Sequence, residues 1–156
     1  MTYRISGLEP ADFAALRGAD EATLAAHNAR RVVAANKPGF PCRVTLEDAE
    51  PGESLILLHH VSHDVATPFR SAYAIYVRET AEQAATFVDE LPPVFANRPL
   101  AFRAFDAEGM LRSASLAGPG EADAAIRNLF DEPDIAYIDA HNAAHGCFAA
   151  RVERSR

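Results

Sequence analysis

The side chains best suited to chemistry gather near the carboxyl end of the chain, in two segments with β-strand alternation. One face of this predicted hairpin carries the reactive side-chain types, namely Tyr137, Asp139, His141, Cys147 and Arg151. A loop over residues 142–146 would set His141 opposite Cys147, with Cβ atoms about 5 Å apart, and Tyr137 opposite Arg151. An imidazole beside a thiol can hold it as a thiolate, and Asp139 could orient that imidazole. The alternative is a solvated polar face with a small buried thiol.

The loop over residues 37–43 is a second candidate. Arg43 could stabilise Cys42 as a thiolate, and the backbone amide of Gly39 together with Lys37 and Arg43 could receive a carboxylate or phosphate group. The alternative is a structural loop in which Cys42 packs inward while Arg43 points outward, as strand alternation allows.

Histidine spacing gives only a weak signal for a metal. On one straight strand His59 and His63 would share a face about 13 Å apart, while His60 faces the other way. His141, His145 and Cys147 are spaced more closely. A structural zinc ion needs four ligands, however, and the chain has no CxxC or HExxH pattern. The prediction is therefore no metal and no cofactor, with a His/Cys metal protein as an alternative.

Arginines on or near predicted strands could bind an anionic small molecule if several of them converge. These arginines are Arg43, Arg70, Arg78, Arg103 and Arg151. The alternative for most of them is an ordinary surface or ion-pair role.

Taken together, these residues predict a small-molecule site beside the terminal hairpin. The candidate catalytic residues are Cys42, Asp139, His141 and Cys147, and the candidate ligand contacts are Arg43, Tyr137, Asn142 and Arg151. A thiolate would be the nucleophile, with His141 as its base and Asn142 or a backbone amide as the oxyanion donor. A different class remains open, in which the hairpin or a sheet edge pairs with a second copy to form a non-catalytic homodimer.

Composition excludes several partners and compartments. The chain has 156 residues, 49% hydrophobic and 24% charged, which suits one globular domain. Its net charge of -7 argues against nucleic acid, because phosphate binding needs a basic surface. No apolar run is long enough to span a membrane, and residues 1–6 lack the long apolar segment of a secretory signal. We therefore expect a cytoplasmic protein with two free thiols.

The elements that must position these residues follow from periodicity and capping signals. Besides the terminal hairpin, strands are predicted at 3–8, 31–34, 54–62, 72–78, 100–105 and 110–116. Helices are predicted at 10–16, at 20–27, behind a capping box at 80–83 and at 121–130. The expected fold is one α+β domain over residues 1–156, a largely antiparallel sheet with helices packed on one face.

Several short motifs in a particular order carry a family resemblance. They are Pro41-Cys42-Arg43, the segment 48–53 before an apolar strand, Arg103-Ala104-Phe105-Asp106 with Gly109 behind it, and Asn142 with Gly146-Cys147. In this order the chain resembles the bacterial domain-of-unknown-function family 1203, most clearly from about Arg31 to its end. The resemblance implies a single-domain cytoplasmic protein with no established activity, cofactor or catalytic residues. It points to the two places already singled out, Cys42-Arg43 and 142–147.

Overall fold

Nine β-strands make up most of the regular structure. The computed structural model describes residues 1–156, and its strands are β1 (Thr2–Ser6), β2 (Arg30–Val33), β3 (Ser54–His63), β4 (Ser71–Arg78), β5 (Thr86–Val88), β6 (Leu100–Phe105), β7 (Leu111–Ala117), β8 (Tyr137–Asn142) and β9 (Phe148–Ser155). The helices are α1 (Glu21–Ala26), α2 (Ala122–Phe130) and short 3-10 helices at Pro10–Phe13 and Pro93–Phe95. None of them combines the length and the apolar character needed to cross a membrane.

The strands form two sheets in which neighbouring strands are antiparallel. The larger has six strands in the order β5-β1-β9-β8-β6-β7, and the smaller has three in the order β2-β3-β4. The central place of β3 agrees with its sequence, because Leu55, Ile56 and Leu58 bury side chains on both of its faces. The β8–β9 hairpin lies at the centre of the larger sheet, so the residues flanking its loop are held by strands on both sides.

Each sheet contributes to its own apolar core. The larger core packs α2, through Ile126 and Leu129, against side chains of the six-stranded sheet. The apolar stripe predicted for the helix at 121–130 is therefore confirmed. The smaller core joins the three-stranded sheet to Phe13 and Leu24 from the amino-terminal segment. The candidate site lies between the three-stranded sheet and the β8–β9 hairpin of the larger sheet.

Helix α1 and the turn between β6 and β7 are each stabilised by hydrogen bonds to an aspartate within a few residues. The side chain of Asp20 accepts a hydrogen bond from the Thr23 N–H and caps α1. The loop between β6 and β7 turns at Gly109, whose φ of +82° favours glycine. There the side chain of Asp106 accepts from the N–H groups of Glu108 and Met110.

The helix predicted behind the capping box at 80–83 is wrong. The residues behind the capping box contain the short strand β5 instead of a helix. Strand β5 pairs with β1 so that Ile5 lies opposite Phe87. Phe87 then packs against the larger core. As a strand, the segment adds hydrogen bonds to the sheet and packs the Phe87 ring against the core. These tertiary interactions outweigh the local preference for a helix.

The antiparallel character of the expected fold is confirmed, although the strands divide into two sheets. The term α+β fits only loosely because helices are few. The expected packing of helices on one face is not confirmed. Helix α2 contacts β6 and β7 of the larger sheet, whereas α1 contacts β2 of the smaller one.

Candidate functional site

The register of the terminal hairpin differs from the predicted one. Asp139 lies opposite Arg151 and His141 lies opposite Phe148, with a β-bulge between these pairs. The predicted pairing of His141 with Cys147 is therefore wrong, as is that of Tyr137 with Arg151, since Tyr137 lies opposite Glu153.

The physical reason for the bulge is a pair of small residues. Ala149 and Ala150 are consecutive, yet both are buried in the larger core, which strict alternation does not allow. The extra residue shifts the alternation, so Phe148 joins the face of His141, and the two rings meet edge to face at 6.0 Å between centroids. Phe148 therefore does not share a face with Ala150 and Val152, where unbroken strand alternation would place it.

A groove of about 640 Å³ lies between the loop over 39–43, strand β4 and the loop that joins β8 to β9. Its apolar wall includes Leu57, Tyr73 and Tyr76. Polar side chains line the rest, namely Arg43, Arg98, Asn142, His145 and Cys147. Three of the predicted site residues, Arg43, Asn142 and Cys147, thus face one groove.

Arg43 is the most unusual of these residues because it is only 3% exposed and bonds no carboxylate. Its Nε donates to the Phe148 carbonyl at 2.8 Å, its Nη1 to the Pro41 carbonyl at 2.6 Å, and its Nη2 to the Cys147 sulfur at 3.2 Å. Burial lowers the pKa of the Arg43 guanidinium, and the Cys147 sulfur acts in the opposite direction. A buried charge is costly unless an opposite charge compensates it. The groove therefore holds a buried positive charge that no carboxylate balances.

The sulfur of Cys147 receives two N–H donors. Besides Arg43, the side-chain Nδ2 of Asn142 donates to it at 3.3 Å. Cys147 is a free, partly exposed cysteine. The carbonyl of Cys147 also accepts from the backbone N–H of Asn142, which holds the two residues together across the loop. We call Arg43, Asn142 and Cys147 the groove cluster.

Cys42 lies elsewhere and has a different environment. It is fully buried in the smaller core and does not line the groove. Its sulfur accepts from the backbone N–H groups of Thr45 at 3.5 Å and Arg78 at 3.3 Å. The alternative in which Cys42 packs inward describes this environment, but Arg43 is buried as well and does not point out to solvent.

His141 is buried beneath the groove rather than lining it. It is 2% exposed, and its Nδ1 lies 2.9 Å from the Gly146 carbonyl, which can only accept, so Nδ1 carries the proton. Burial lowers the pKa of His141 to about 4, and the hydrogen bond to Gly146 only partly opposes that change. At neutral pH the ring is therefore neutral, and it packs edge to face on Tyr73 with centroids 5.0 Å apart.

The remaining predicted site residues join a second cluster between the two sheets. Arg151 donates to both carboxylate oxygens of Asp139, at 2.7 and 3.0 Å, and its guanidinium lies 4.3 Å from the centre of the Tyr137 ring. The Tyr137 hydroxyl donates to Nε2 of His63 at 2.7 Å, because His63 Nδ1 donates to the Phe69 carbonyl at 2.8 Å. We call Asp139, Arg151, Tyr137 and His63 the inter-sheet cluster.

Charges in the inter-sheet cluster are paired. Burial tends to lower the pKa of Arg151, but its bonds to Asp139 outweigh that and raise it. Burial raises the pKa of Tyr137, against the effect of the neighbouring Arg151. The Ser62 hydroxyl nearby is buried without a hydrogen-bond partner. It lies at a bulge in β3 that turns His63 to the face of His60, so the predicted shared face of His59 and His63 is wrong.

The five arginines considered above do not converge on one anion site. Four of them bond a carboxylate or a tyrosine hydroxyl: Arg70 bonds Asp64, Arg78 bonds Glu53 and Glu47, Arg103 bonds Tyr73, and Arg151 bonds Asp139. Only Arg43 lines the groove. The metal alternative also gains no support, since no three His, Cys, Asp or Glu side chains are grouped to hold an ion.

Sequence reasoning missed Arg98 and the tyrosine wall. Arg98 lines the groove and forms an ion pair with Asp48, which lies 50 residues away in the chain. Tyr73 could have been noticed from the aromatic content of its strand, but no local signal marks Arg98.

Comparison with known proteins gives one match. The model of a family described as a protein of unknown function (DUF1203) matches residues 39–154, a span that contains both clusters. No curated protein and no solved structure matches the chain.

Proposed function

We propose that this chain, which belongs to the DUF1203 family of proteins of unknown function, uses its groove as a reaction site in which Cys147 is a thiolate nucleophile toward a small molecule. The observation that carries the proposal is the pair of donors on the Cys147 sulfur, one of which is a buried guanidinium with no carboxylate partner.

The donors favour the charged form of the sulfur. A neutral thiol is a weak acceptor, whereas a thiolate accepts N–H groups strongly, especially from a cation. Arg43 cannot lose its proton, and its other two bonds go to neutral carbonyls. A thiolate at Cys147 supplies the negative charge that Arg43 otherwise lacks. Deprotonation of Cys147 therefore compensates the buried guanidinium and also gives the two N–H donors a strong acceptor.

No histidine base is needed for this arrangement. His141 directs its proton-bearing nitrogen at Gly146 and does not line the groove. The groove is open, so the proton of Cys147 can leave to solvent before a substrate binds. His141 then serves to position the loop through Gly146, and Asn142 acts as a donor to the sulfur instead of to an oxyanion.

The walls of the groove indicate the kind of molecule that would reach the sulfur. A volume of about 640 Å³ is within the range of small-molecule sites. Leu57, Tyr73 and Tyr76 offer an apolar surface for the body of the molecule, and Cys147 lies on the polar side. We therefore expect a small molecule with an apolar or aromatic part and an electrophilic centre.

The test is the pH dependence of Cys147 alkylation by iodoacetamide, followed by peptide mass spectrometry. We expect the native rate at pH 6 to exceed the rate for the urea-unfolded chain at least about tenfold, because only the thiolate reacts. The native rate at pH 6 should fall in Asn142→Ala and fall further in Arg43→Gln, because each change removes a donor to the sulfur. Asn128→Ala, an exposed change on α2, is the matched control and should keep the native profile.

Coincidence of the native and unfolded profiles would overturn the proposal. If Arg43→Gln does not fold, the native and unfolded profiles together with Asn142→Ala still decide the matter. Cys42 should react only in the unfolded chain, since it is fully buried.

A second candidate is binding of an anionic small molecule at Arg43, and the same lack of a carboxylate favours it. An anion would compete with the thiolate for the guanidinium. Inorganic phosphate added at constant ionic strength should then slow Cys147 alkylation in a saturable way. An unchanged rate would leave the thiolate as the only counter-charge to Arg43.

A further inference from the structure

We infer that the electrophile suited to Cys147 is a hydroperoxide, and that an organic substituent on it would lie along the wall formed by Leu57, Tyr73 and Tyr76. This rests on the proposed thiolate. It adds the substrate class, which follows from the donors around the sulfur and from the absence of a general acid bonded to it.

The guanidinium beside the sulfur keeps unused donors. An arginine side chain has five N–H donors, and Arg43 uses three of them, on Phe148, Pro41 and Cys147. The two that remain are on Nη1 and Nη2, and Nη2 is the atom that also contacts the sulfur. An oxygen that gains negative charge next to the sulfur can therefore bond to the same cation.

This arrangement suits cleavage of an O–O bond better than acyl transfer. Expulsion of an amine from an acyl intermediate calls for a general acid, usually an imidazole within hydrogen-bond reach, because an amide anion is too basic to leave unprotonated. Neither cysteine sulfur bonds a histidine: His141 is committed to Gly146, and the exposed His145 lines the groove without a hydrogen bond to either sulfur. A hydroperoxide needs a thiolate and donors for the departing oxygen, and the groove cluster supplies both.

The step balances as a two-electron transfer. The Cys147 thiolate attacks the terminal oxygen of R–O–O–H, an S–O bond forms, and the O–O bond breaks. The products are a sulfenic acid on Cys147 and an alkoxide, R–O⁻, which takes a proton from water to give the alcohol. The sulfur is oxidised and the peroxide is reduced.

Return to the thiolate needs an external thiol. Cys42 does not line the groove, and its sulfur is buried against two backbone N–H groups, so it does not act as a resolving cysteine. A low-molecular-weight thiol would condense with the sulfenic acid to a mixed disulfide and water. A second such thiol would release Cys147 and form the small-molecule disulfide.

The tyrosine wall suggests a preference for organic peroxides. Tyr73 accepts a hydrogen bond from Nη1 of Arg103 at 2.6 Å, which holds its ring against the groove. With Leu57 and Tyr76 it gives an apolar surface that hydrogen peroxide does not use. A bulky apolar R group buries area there, and burial of apolar surface adds binding energy.

The experiment treats the full chain with cumene hydroperoxide or hydrogen peroxide, and dimedone traps sulfenic acid for peptide mass spectrometry. Cys147 should be labelled and Cys42 should not. We expect oxidation of Cys147 to be at least about tenfold faster in the native than in the urea-unfolded chain. It should also be faster with cumene hydroperoxide than with hydrogen peroxide. Asn142→Ala should slow it, and Asn128→Ala should leave it unchanged.

The outcomes separate this inference from the proposed function. If Cys147 is alkylated as a thiolate but native and unfolded chains react equally with both peroxides, the hydroperoxide assignment is wrong and the thiolate stands. If alkylation also shows no native advantage, both fail. Equal rates with the two peroxides, each faster than in the unfolded chain, would keep the reaction and overturn the role of the tyrosine wall.

Discussion

The groove cluster and the inter-sheet cluster both use residues of the β8–β9 hairpin, yet only the inter-sheet cluster pairs its arginine with a carboxylate. Arg151 has a bidentate carboxylate partner in Asp139, and the Tyr137 hydroxyl donates to His63. Arg43 is more deeply buried, since only 3% of it is exposed against 35% of the Arg151 side chain, yet it bonds two carbonyls and a sulfur. The two arginines therefore differ in burial and in the charge of their partners. Under the function proposed above, the unbalanced charge beside the groove is what sets Arg43 apart.

The energetic reason lies in the desolvation of the guanidinium. Removing an ion from water costs several kcal/mol unless an opposite charge or a full set of hydrogen bonds compensates. Asp139 provides that compensation for Arg151 and makes its cluster structural. For Arg43 we propose that the compensating charge comes either from ionised Cys147 or from a bound anion, which would couple its environment to chemistry in the groove.

Removal of Asp139 would break the complete cluster and have the largest effect on stability. Asp139→Ala leaves Arg151 without its carboxylate, and we expect the free energy of unfolding to fall by about 3 kcal/mol. Asp134→Ala, an exposed change nearby, should have little effect. Urea unfolding at pH 7 measures both, and Asp139→Asn serves if the alanine variant does not fold. Equal stabilities for the Asp139 and Asp134 variants would contradict the role assigned to the ion pair.

The pH dependence of the free energy of unfolding tests the environment of His141, which lies beneath the groove. Its pKa of about 4 in the folded chain lies below the ordinary value of 6.5, so the unfolded chain binds more protons between these values. Stability is therefore complete above pH 6.5 and is lost as the pH falls toward 4, by about 2 kcal/mol between pH 7 and pH 5.

The matched variant is His141→Asn, whose amide can still donate to Gly146 but does not titrate in this range. Urea unfolding at the two pH values should show a smaller loss in the variant. Some loss will remain, because burial also lowers the pKa of His60. An identical loss in both proteins would show that His141 is protonated in the folded chain without cost.

The smallest expected effect concerns the hydroxyl of Tyr137. Tyr137→Phe removes the donor to His63 Nε2 and leaves a buried acceptor unsatisfied, which should cost about 1 kcal/mol. Tyr76→Phe changes a half-buried tyrosine outside the inter-sheet cluster and is the control. Thermal unfolding compares them, and Tyr137→Phe should leave the rate of Cys147 alkylation at pH 6 unchanged. A Tyr137→Phe effect no larger than that of the control would mean that the hydroxyl adds nothing to the cluster.

The sequence was a good guide wherever a signal is completed by near neighbours. Strand β3 and helix α2 follow the predicted periodicity. Prediction from the sequence was wrong where contacts with distant segments compete with a local signal. The capping box at 80–83 predicts a helix, but pairing with β1 and burial of Phe87 make that region a strand.

The candidate site divides in the same way. Alternation correctly put Tyr137 and Asp139 on one strand face, and the resemblance drew attention to Arg43 and to 142–147. Alternation did not reveal the bulge at Ala149 and Ala150, because two adjacent alanines suit an ordinary strand equally well. That one extra residue replaces the predicted His141–Cys147 pair with His141 and Phe148.

By itself, the sequence determined the family, the antiparallel strands and the chemical types available at the hairpin, because each depends on local order along the chain. Only the tertiary structure decided which of those side chains meet. Arg43 reaches Cys147 from 104 positions away, and His63 reaches Tyr137 from 74. Contacts of that span depend on how the two sheets pack, and periodicity within a strand carries no information about that packing.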